Sequence, residues 1–478
     1  MKKIFLACFI IPLLGIGVSK AQITNLYGWA TPANPYGSLT ISGNVMYGAT
    51  VYGGTLDEGS VFSINKDGSN YKTLWSFEDT GVAFNASGSG PEGNLTLIGN
   101  RLYGTTFVGG ANANGQIFSI RIDGSGFRDL WDFADTGSLG NQNGSEPGGS
   151  VVLIGNKLFG YTSASHVGNG ILFSIDTLGH GFKDLHDFNG GTSGSQPNLG
   201  ALAVSPSGQI LYGVTNFGGL NSQGMVYAVD TGGMNFKDLH DFAAPGGQGP
   251  YSSVILWGTK LFGMTYDGGP SSDGTIFTVD TAGHNFKNLL NFIGSNGVNP
   301  FGDFIVVQNK LYGMAYLGGA NNYGLIFSID SDGTAYDDLA DFNGTNGKYP
   351  YGYLSLSGNK FYGMTSDGGT GDGNIFGWAD TTIHTGLTTT SRGANKIIAY
   401  PNPGNGNFTF QIINGEASEL GDEILVYNVL GKQIYSSVID DASKATIDIS
   451  SNPNGIYLYR VLTENGNLLS EGKLILQK

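Results

Sequence analysis

Leu311-Tyr312-Gly313-Met314, then Gly318-Gly319, then Ile326-Phe327-Ser328-Ile329-Asp330: the fold is read from this stretch, because versions of it recur along the chain. Its glycine returns as Gly48, Gly104, Gly160, Gly213, Gly263, Gly313 and Gly363, at steps of 56, 56, 53, 50, 50 and 50. Periods of this size mark repeat architectures. Around the best copy, Asp303–Val307, Lys310–Tyr316, Leu325–Asp330 and Tyr336–Phe342 read as four short strands. Each is rich in β-branched and aromatic residues and bounded by Gly, Asn or Asp. The Gly-Asn pairs at 43, 99, 155 and 358 and the Asp-Gly pairs at 67, 123 and 332 suit hairpin turns, which need positive φ.

Bulk properties agree. Glycine is 80 of 478 residues and only 13% are charged, while aromatics reach 12%, which argues for a turn-rich all-β chain rather than disorder. The net charge of −15 disfavours nucleic acid or an anionic membrane as partner. Met1-Lys2-Lys3, the apolar run Ile4–Val18 and Ser19-Lys20-Ala21 read as a secretory signal over residues 1–21. The alternative, a transmembrane span, would be short at about fifteen residues. Cleavage before Gln22 removes three lysines and the single cysteine, Cys8, taking the charge from −15 to −18. The remaining chain can form no disulfide and carries no predicted transmembrane segment.

Four strands per repeat and seven repeats predict a seven-bladed β-propeller over residues 22–380, with a β-solenoid as the competitor. The last repeat ends on its third strand, Asn374-Ile375-Phe376-Gly377-Trp378, and runs into a Thr/Ser/Gly linker at 381–395. The segment Asn25-Leu26-Tyr27-Gly28-Trp29 before Pro35-Tyr36-Gly37 matches Asp338-Leu339-Ala340-Asp341-Phe342 before Pro350-Tyr351-Gly352. It is therefore predicted to supply the missing fourth strand and close the ring, removing open sheet edges. The repeat glycine is expected to allow close approach of a neighbouring backbone, and the aromatic before it to fill space between sheets. Residues 396–478 carry seven further short strands, read as a small Ig-like β-sandwich.

The pattern Leu-Tyr-Gly-x-Thr-x-x-Gly-Gly followed by Gly-x-Ile-Phe-Ser-Ile-Asp resembles the Gloeo-Verruco tandem repeats of bacterial extracellular proteins, although Tyr161–His166 lacks the double glycine. That resemblance implies no catalytic residues. The C-terminal motifs are Tyr400-Pro401-Asn402-Pro403 with Gly406 and Phe408, then Gly431, Gly455 with Tyr457, and Gly472-Lys473. They resemble the C-terminal sorting domain of the type IX secretion system, the alternative being an ordinary adhesive sandwich. The resemblance implies a Bacteroidota-type cell and export across both membranes, with the secretion machinery as partner. Asp176-Thr177-Leu178, Asp280-Thr281-Ala282 and Asp380-Thr381-Thr382 resemble the short O-glycosylation motif of that bacterial group.

No nucleophile elbow, phosphate loop or His-Glu-x-x-His motif is present. Asp330-Ser331-Asp332-Gly333 opens like a calcium loop but lacks the later ligands, so calcium is possible yet unsupported and no cofactor is predicted. His186 and His240, in Asp-Leu-His-Asp, read as surface strand residues, since the equivalent positions hold Trp131, Leu290 and Ala340. Two inter-repeat links are long, Glu78–Asn94 and Ala134–Ser150. Longer loops on a rigid scaffold often bind ligands, which makes Glu78, Asp79, Glu92, Asp135, Glu146 and His166 the binding candidates. Tolerated insertions are the alternative. Two functions follow: a non-catalytic secreted or surface scaffold binding a polysaccharide or protein, or an extracellular hydrolase or lyase. Glycosidase-like chemistry needs two carboxyls about 5 to 9.5 Å apart. Two acids converging in one pocket on the long-loop face would remove the main support for the non-catalytic reading.

Overall fold

The computed structural model describes residues 22–31, 33–78, 87–134, 143–165, 168–197, 200–369, 371–380, 396–413, 423–428, 432–438, 444–462 and 468–478. The predicted leader and linker, with Asp79, Asp135, His166 and Gly431, lie outside them. The chain divides into two compact units, Met1–Thr381 and Thr382–Lys478, and every regular element among the described residues is a strand.

In the first unit, six four-stranded antiparallel sheets follow one another in strict sequence order. The first consists of Thr40–Ser42, Val45–Thr50, Ser60–Asn65 and Lys72–Ser76; the sixth of Ile305–Val307, Lys310–Ala315, Leu325–Asp330 and Asp337–Asp341. A seventh sheet joins Ser355–Ser357, Lys360–Asp367 and Asn374–Ala379 to Thr24–Gly28, which pairs antiparallel along Asn374–Ala379. Lys348–Pro350 adds a short strand against Lys360–Asp367, one that the sequence reading did not anticipate.

The N-terminal strand copies the register of the outer strands. Phe62 pairs with Thr73 and Val61 with Trp75 across a bulge; Phe376 pairs with Asn25 and Ile375 with Tyr27 across the same bulge. Consecutive sheets share apolar clusters, as when Tyr47, Val61 and Phe77 pack with Leu102, Phe118 and Ile120. The seventh packs on the first, with Tyr362, Met364 and Ile375 meeting Leu39, Met46 and Phe62.

The repeat glycine has a different reason from the expected one. Gly313 lies opposite Phe327 in the ladder, and a Cβ there would sit 2.7 Å from the tip of that ring. The same holds for Gly48 with Phe62 and Gly363 with Phe376, at 2.6 and 2.5 Å. The glycine makes room for a cross-strand phenylalanine of its own sheet rather than for a neighbouring backbone. The aromatics before it are buried between sheets, as expected; Tyr47 and Tyr312 are 5% and 4% exposed.

A second correction concerns the histidines. His186 stacks on Phe236 at 4.1 Å and 5°, and His240 on Phe286 at 3.5 Å and 9°. These are the positions of the Trp75–Phe127 and Trp131–Phe182 stacks, so the imidazoles fill the space between adjacent outer strands. Burial there lowers both histidine pKa values despite the neighbouring aspartates. Tyr27 stacks on Tyr71 at 4.2 Å and 4°, in the matching position between the seventh and first sheets.

The second unit has a three-stranded sheet, Lys396–Tyr400, Asn407–Ile413 and Lys444–Asp448, and a four-stranded one, Gln433–Val438, Glu423–Asn428, Gly455–Leu462 and Leu468–Leu476. Phe408, Phe410 and Ile447 from the first share one core with Ile424, Val426, Tyr459 and Leu474 from the second. Alternate burial along Gly455–Leu462 is the period-2 pattern of a strand with one face inward.

Candidate functional site

The segments leading into the first strands of successive sheets lie side by side. Gly37, Gly93, Gly302 and Gly352 have no room for a Cβ, which would meet the Gly93, Gly149, Gly352 and Gly37 carbonyl oxygens at 2.9, 2.7, 2.1 and 2.5 Å. The residues after them form a hydrogen-bonded belt. The Ser38 N–H donates to the Asn94 side chain, the Asn94 N–H to Ser150 Oγ at 2.8 Å, and the Ser150 N–H to the Gly200 carbonyl at 3.1 Å. Farther round, the Ser253 N–H donates to Asp303 Oδ1 and the Tyr353 N–H to Ser38 Oγ, both at 2.7 Å. Burial pushes the Asp303 carboxyl up to about 6.

Directly before this belt every repeat has a proline preceded by a residue of positive φ: Asn34, Gly90, Glu146, Gln196, Gly249, Asn299 and Tyr349, between 41° and 63°. Most of these are strained for a side-chain-bearing residue. The conformation is held from both sides. The Glu146 N–H donates to the Asn114 carbonyl and its carbonyl accepts from the Ser163 N–H, each at 3.0 Å, so the Glu146 side chain starts from a fixed backbone. The Ser163 hydroxyl donates to the Glu146 carbonyl at 2.9 Å and lies 3.4 Å from its Oε2.

The residues after the prolines are Tyr36, Glu92, Gly148, Asn198, Tyr251, Phe301 and Tyr351. Four are aromatic, and they come together. Tyr36 stacks on Tyr351 at 4.4 Å, Tyr351 on Phe301 at 4.2 Å, and Tyr251 meets Phe301 edge-on at 5.5 Å. Beyond Tyr36 the aromatic run stops, at Glu92. There a cavity of about 500 Å³ opens, lined by Tyr36, Glu92, Phe107, Glu146, Ser163, Gln196, Tyr251, Tyr266, Phe301 and Tyr351. Its size falls in the range of small-molecule sites, about 300–1,000 Å³. None of the ten is basic.

Burial, with the Glu146 carboxylate adding to it, pushes Glu92 up to about 7. Burial raises the Tyr36 and Tyr351 hydroxyls, followed by the Glu92 charge at Tyr36 and by Tyr36 and then Glu92 at Tyr351, with further tyrosines adding to both. A carboxyl that keeps its proton near neutral pH can donate a hydrogen bond or a proton. Stacked rings cover one another, so the aromatic run offers the cavity rims, hydroxyls and terminal faces.

Of the candidates read from the sequence, the structure brings Glu92 and Glu146 together in this cavity. Glu78 is exposed, its N–H accepted by Ser87 Oγ at 2.9 Å, and it is not among the lining residues. The sequence reading missed the aromatic wall, Ser163 and Gln196. The available signal was the residue after each proline, legible only when the repeats are set beside one another. Because two acids share the cavity, a non-catalytic role can no longer rest on the absence of convergent carboxyls.

The acids of the hairpin turns are occupied by the turns themselves. Asp230 Oδ1 accepts from the Gly232 and Met234 N–H groups at 2.9 and 2.8 Å, and such bonds hold its pKa down. Among the described residues no group of three or more His, Cys, Asp or Glu side chains is placed to hold a metal ion.

In the second unit the C-terminal motif residues meet around the last strand. Asn402 accepts from the Ile475 N–H at 2.8 Å and donates to the Lys473 carbonyl at 2.7 Å. The Tyr457 hydroxyl donates to the Pro453 carbonyl at 2.6 Å. Gly406, at φ 126°, packs where a Cβ would be 2.3 Å from Ser450 Cα, and Gly472 lies against the Tyr459 ring. Phe408 is fully buried, while Tyr400 is partly exposed.

These features define a propeller-like, all-β repeat protein with an appended C-terminal module. The chain belongs to the Gloeobacter/Verrucomicrobia repeat family, whose model matches residues 17–210 and 166–376. Residues 398–477 match the secretion system C-terminal sorting domain, which assigns the protein to type IX export to the cell surface or extracellular space. Among the described residues no helix is long and apolar enough to cross a membrane. No curated protein matches the sequence.

Solved structures similar to the chain include a puromycin-hydrolyzing peptidase of Mycobacterium tuberculosis, at 11% identity and TM-score 0.48, covering 84% of this chain and 63% of that one. Others are the β-propeller domain of the Trilobed protease from Pyrococcus furiosus (9%, 0.42, 75% and 95%) and the polysaccharide lyase Uly1 (9%, 0.40, 76% and 97%). The chain thus spans less than two thirds of the mycobacterial enzyme, and 39% of the tricorn protease.

Proposed function

We propose that the seven sheets are the blades of a closed propeller, with Thr24–Gly28 as the fourth strand of the last blade, and that the cavity at its axial mouth binds a polysaccharide outside the cell. The observation that carries this reading is the cavity itself, where an aromatic run from Tyr251 to Tyr36 faces Glu92 and Glu146. Aromatic rims and faces suit the apolar C–H surfaces of sugar rings, and carboxyl groups accept hydrogen bonds from their hydroxyls. The face holding the cavity carries the second connection of each blade and the inter-blade links, where ligands are expected on such a scaffold. In this reading the C-terminal unit is a small Ig-like sandwich that directs export.

A second reading is cleavage of the bound polysaccharide, favoured by the one proton-holding acid beside a second carboxyl. A glycan array with the full-length secreted protein, scored for binding and for released sugar, separates the two. Binding lost in Tyr351→Ala with no cleavage supports a binder. Cleavage lost in Glu92→Gln supports the enzyme. An array without a single hit overturns both.

A further inference from the structure

In the second, fourth and sixth repeats, the last acid of the outer strand pins the double-glycine loop. Asp132 accepts from the Ala111 N–H at 2.9 Å, Asp241 from the Leu220 N–H at 2.7 Å, and Asp341 from the Ala320 N–H at 2.8 Å. The first repeat differs. Ser76 stands at that position, and Thr73 stands where the second repeat has Asp129. Its loop is tied within itself, through the Gly53 N–H to Asp57 at 2.7 Å.

The shorter side chains leave a cavity of about 360 Å³ between the N-terminal strand and the first sheet, lined by Tyr27, Trp29, Thr73 and Ser76 among others and by no charged residue. Tyr52 of this cavity acts electrostatically on Tyr36 of the axial pocket, which puts the two near each other. Ala33 lines this cavity and Tyr36, three residues on, lines the other. Tyr52, 44% exposed, also lines it, and its N–H donates to the Ala33 carbonyl at 3.1 Å.

We infer that this cavity is a second subsite for the same ligand, which is therefore a chain of several neutral sugar units running from the axial pocket past Tyr52 to the seam between the last and first sheets. The inference rests on the polysaccharide reading of the axial pocket. Hydroxyl and aromatic groups without charge suit a neutral, hydroxyl-rich unit, and linking two sites through one ligand raises affinity without new contacts at either.

The test uses di- and hexasaccharides of β-1,3-glucan, β-1,4-glucan, xylan and mannan with the full-length protein and its Ser76→Asp and Tyr52→Ala variants, measured by calorimetry. Ser76→Asp installs the residue other repeats carry there, and Tyr52 is exposed, so both variants should keep the wild-type Tm. The wild type is expected to bind its hexasaccharide about tenfold or more tighter than the disaccharide. Both variants should lose that gain and leave disaccharide affinity unchanged. Hexasaccharide affinity untouched by both variants overturns the second subsite. Binding that survives Tyr351→Ala at both lengths, or no binding at all, overturns the axial reading beneath it.

Discussion

Gly313 shows how one residue type can be fixed by the ring across the ladder. Phe327 is fully buried and packed by the preceding sheet, through Phe262, Met264 and Ile276, so it cannot swing away from an added methyl. Gly313→Ala should destabilise the protein by about 1–3 kcal/mol, seen as a lowered Tm, with no change in strand content by circular dichroism. Asp303 makes the opposite case. Its side chain accepts from the Ser253 N–H, and Asn94 fills the matching role before the second sheet, accepting from the Ser38 N–H. Asp303→Asn should therefore raise the Tm at pH 8 and leave it unchanged at pH 5. Asp303→Ala, which strands a buried N–H, should cost about 1–3 kcal/mol at pH 5, and less at pH 8 where it also removes the buried charge. Equal melting of Asn and Ala variants would refute the acceptor role.

Among the elements, the strand Thr24–Gly28 has the largest consequence. It supplies one edge of the seventh sheet, the Tyr27–Tyr71 stack and Trp29, whose indole N–H donates to the Tyr71 hydroxyl at 3.1 Å. Deleting residues 23–30 should lower the Tm of the whole first unit in one cooperative transition; an unchanged Tm would show that the seventh sheet does not need it. This strand was legible because Asn25–Trp29 repeats the pattern of Asp338–Phe342. The strands were legible for a similar reason, since period-2 burial and turn residues are local signals. The cavity was not. Glu92 and Glu146 drew attention only through the length of their links, while Tyr36, Tyr251, Phe301 and Tyr351 each look like one ordinary residue after a proline. Their meeting is a property of the repeats set side by side, and no single repeat displays it. The repeat glycine was misread for a related reason, because its partner is fixed by cross-strand register rather than by sequence neighbours.

For the molecule as a whole, two sets of acids pull stability in opposite directions with pH. Burial raises Glu92 and Asp129 to about 7 and Asp184, Asp238 and Asp303 to about 6, with nearby acids adding to the shift in all but Asp303. The folded state then holds more protons than the unfolded chain, so stability falls as pH rises through these values. The turn acids Asp67, Asp123, Asp176, Asp230, Asp280 and Asp332 are lowered by turn hydrogen bonds, and their contribution is lost as pH falls below the usual carboxylate range. The Tm should peak near about pH 5 and decline toward pH 8, and Glu92→Gln should flatten the decline. A Tm that rises from pH 5 to 8 would contradict this. Export is separable from all of it. Removing residues 397–478 should leave the repeat unit in the periplasm, checked by fractionation and surface labelling; continued surface display would refute the sorting role.

The pairing of Thr24–Gly28 with Asn374–Ala379 also bears on when folding can finish. The partners are about 350 residues apart in the chain, and contacts so distant form slowly and late. The first sheets can form as soon as their residues are available, but the seam must wait for the last repeat. The protein therefore passes through a stage in which Asn374–Ala379 and the first sheet both lack their neighbour. Refolding should show a slow final phase, reported by the fluorescence of Trp378 on the partner strand, which the 23–30 deletion retains and in which that phase should be absent.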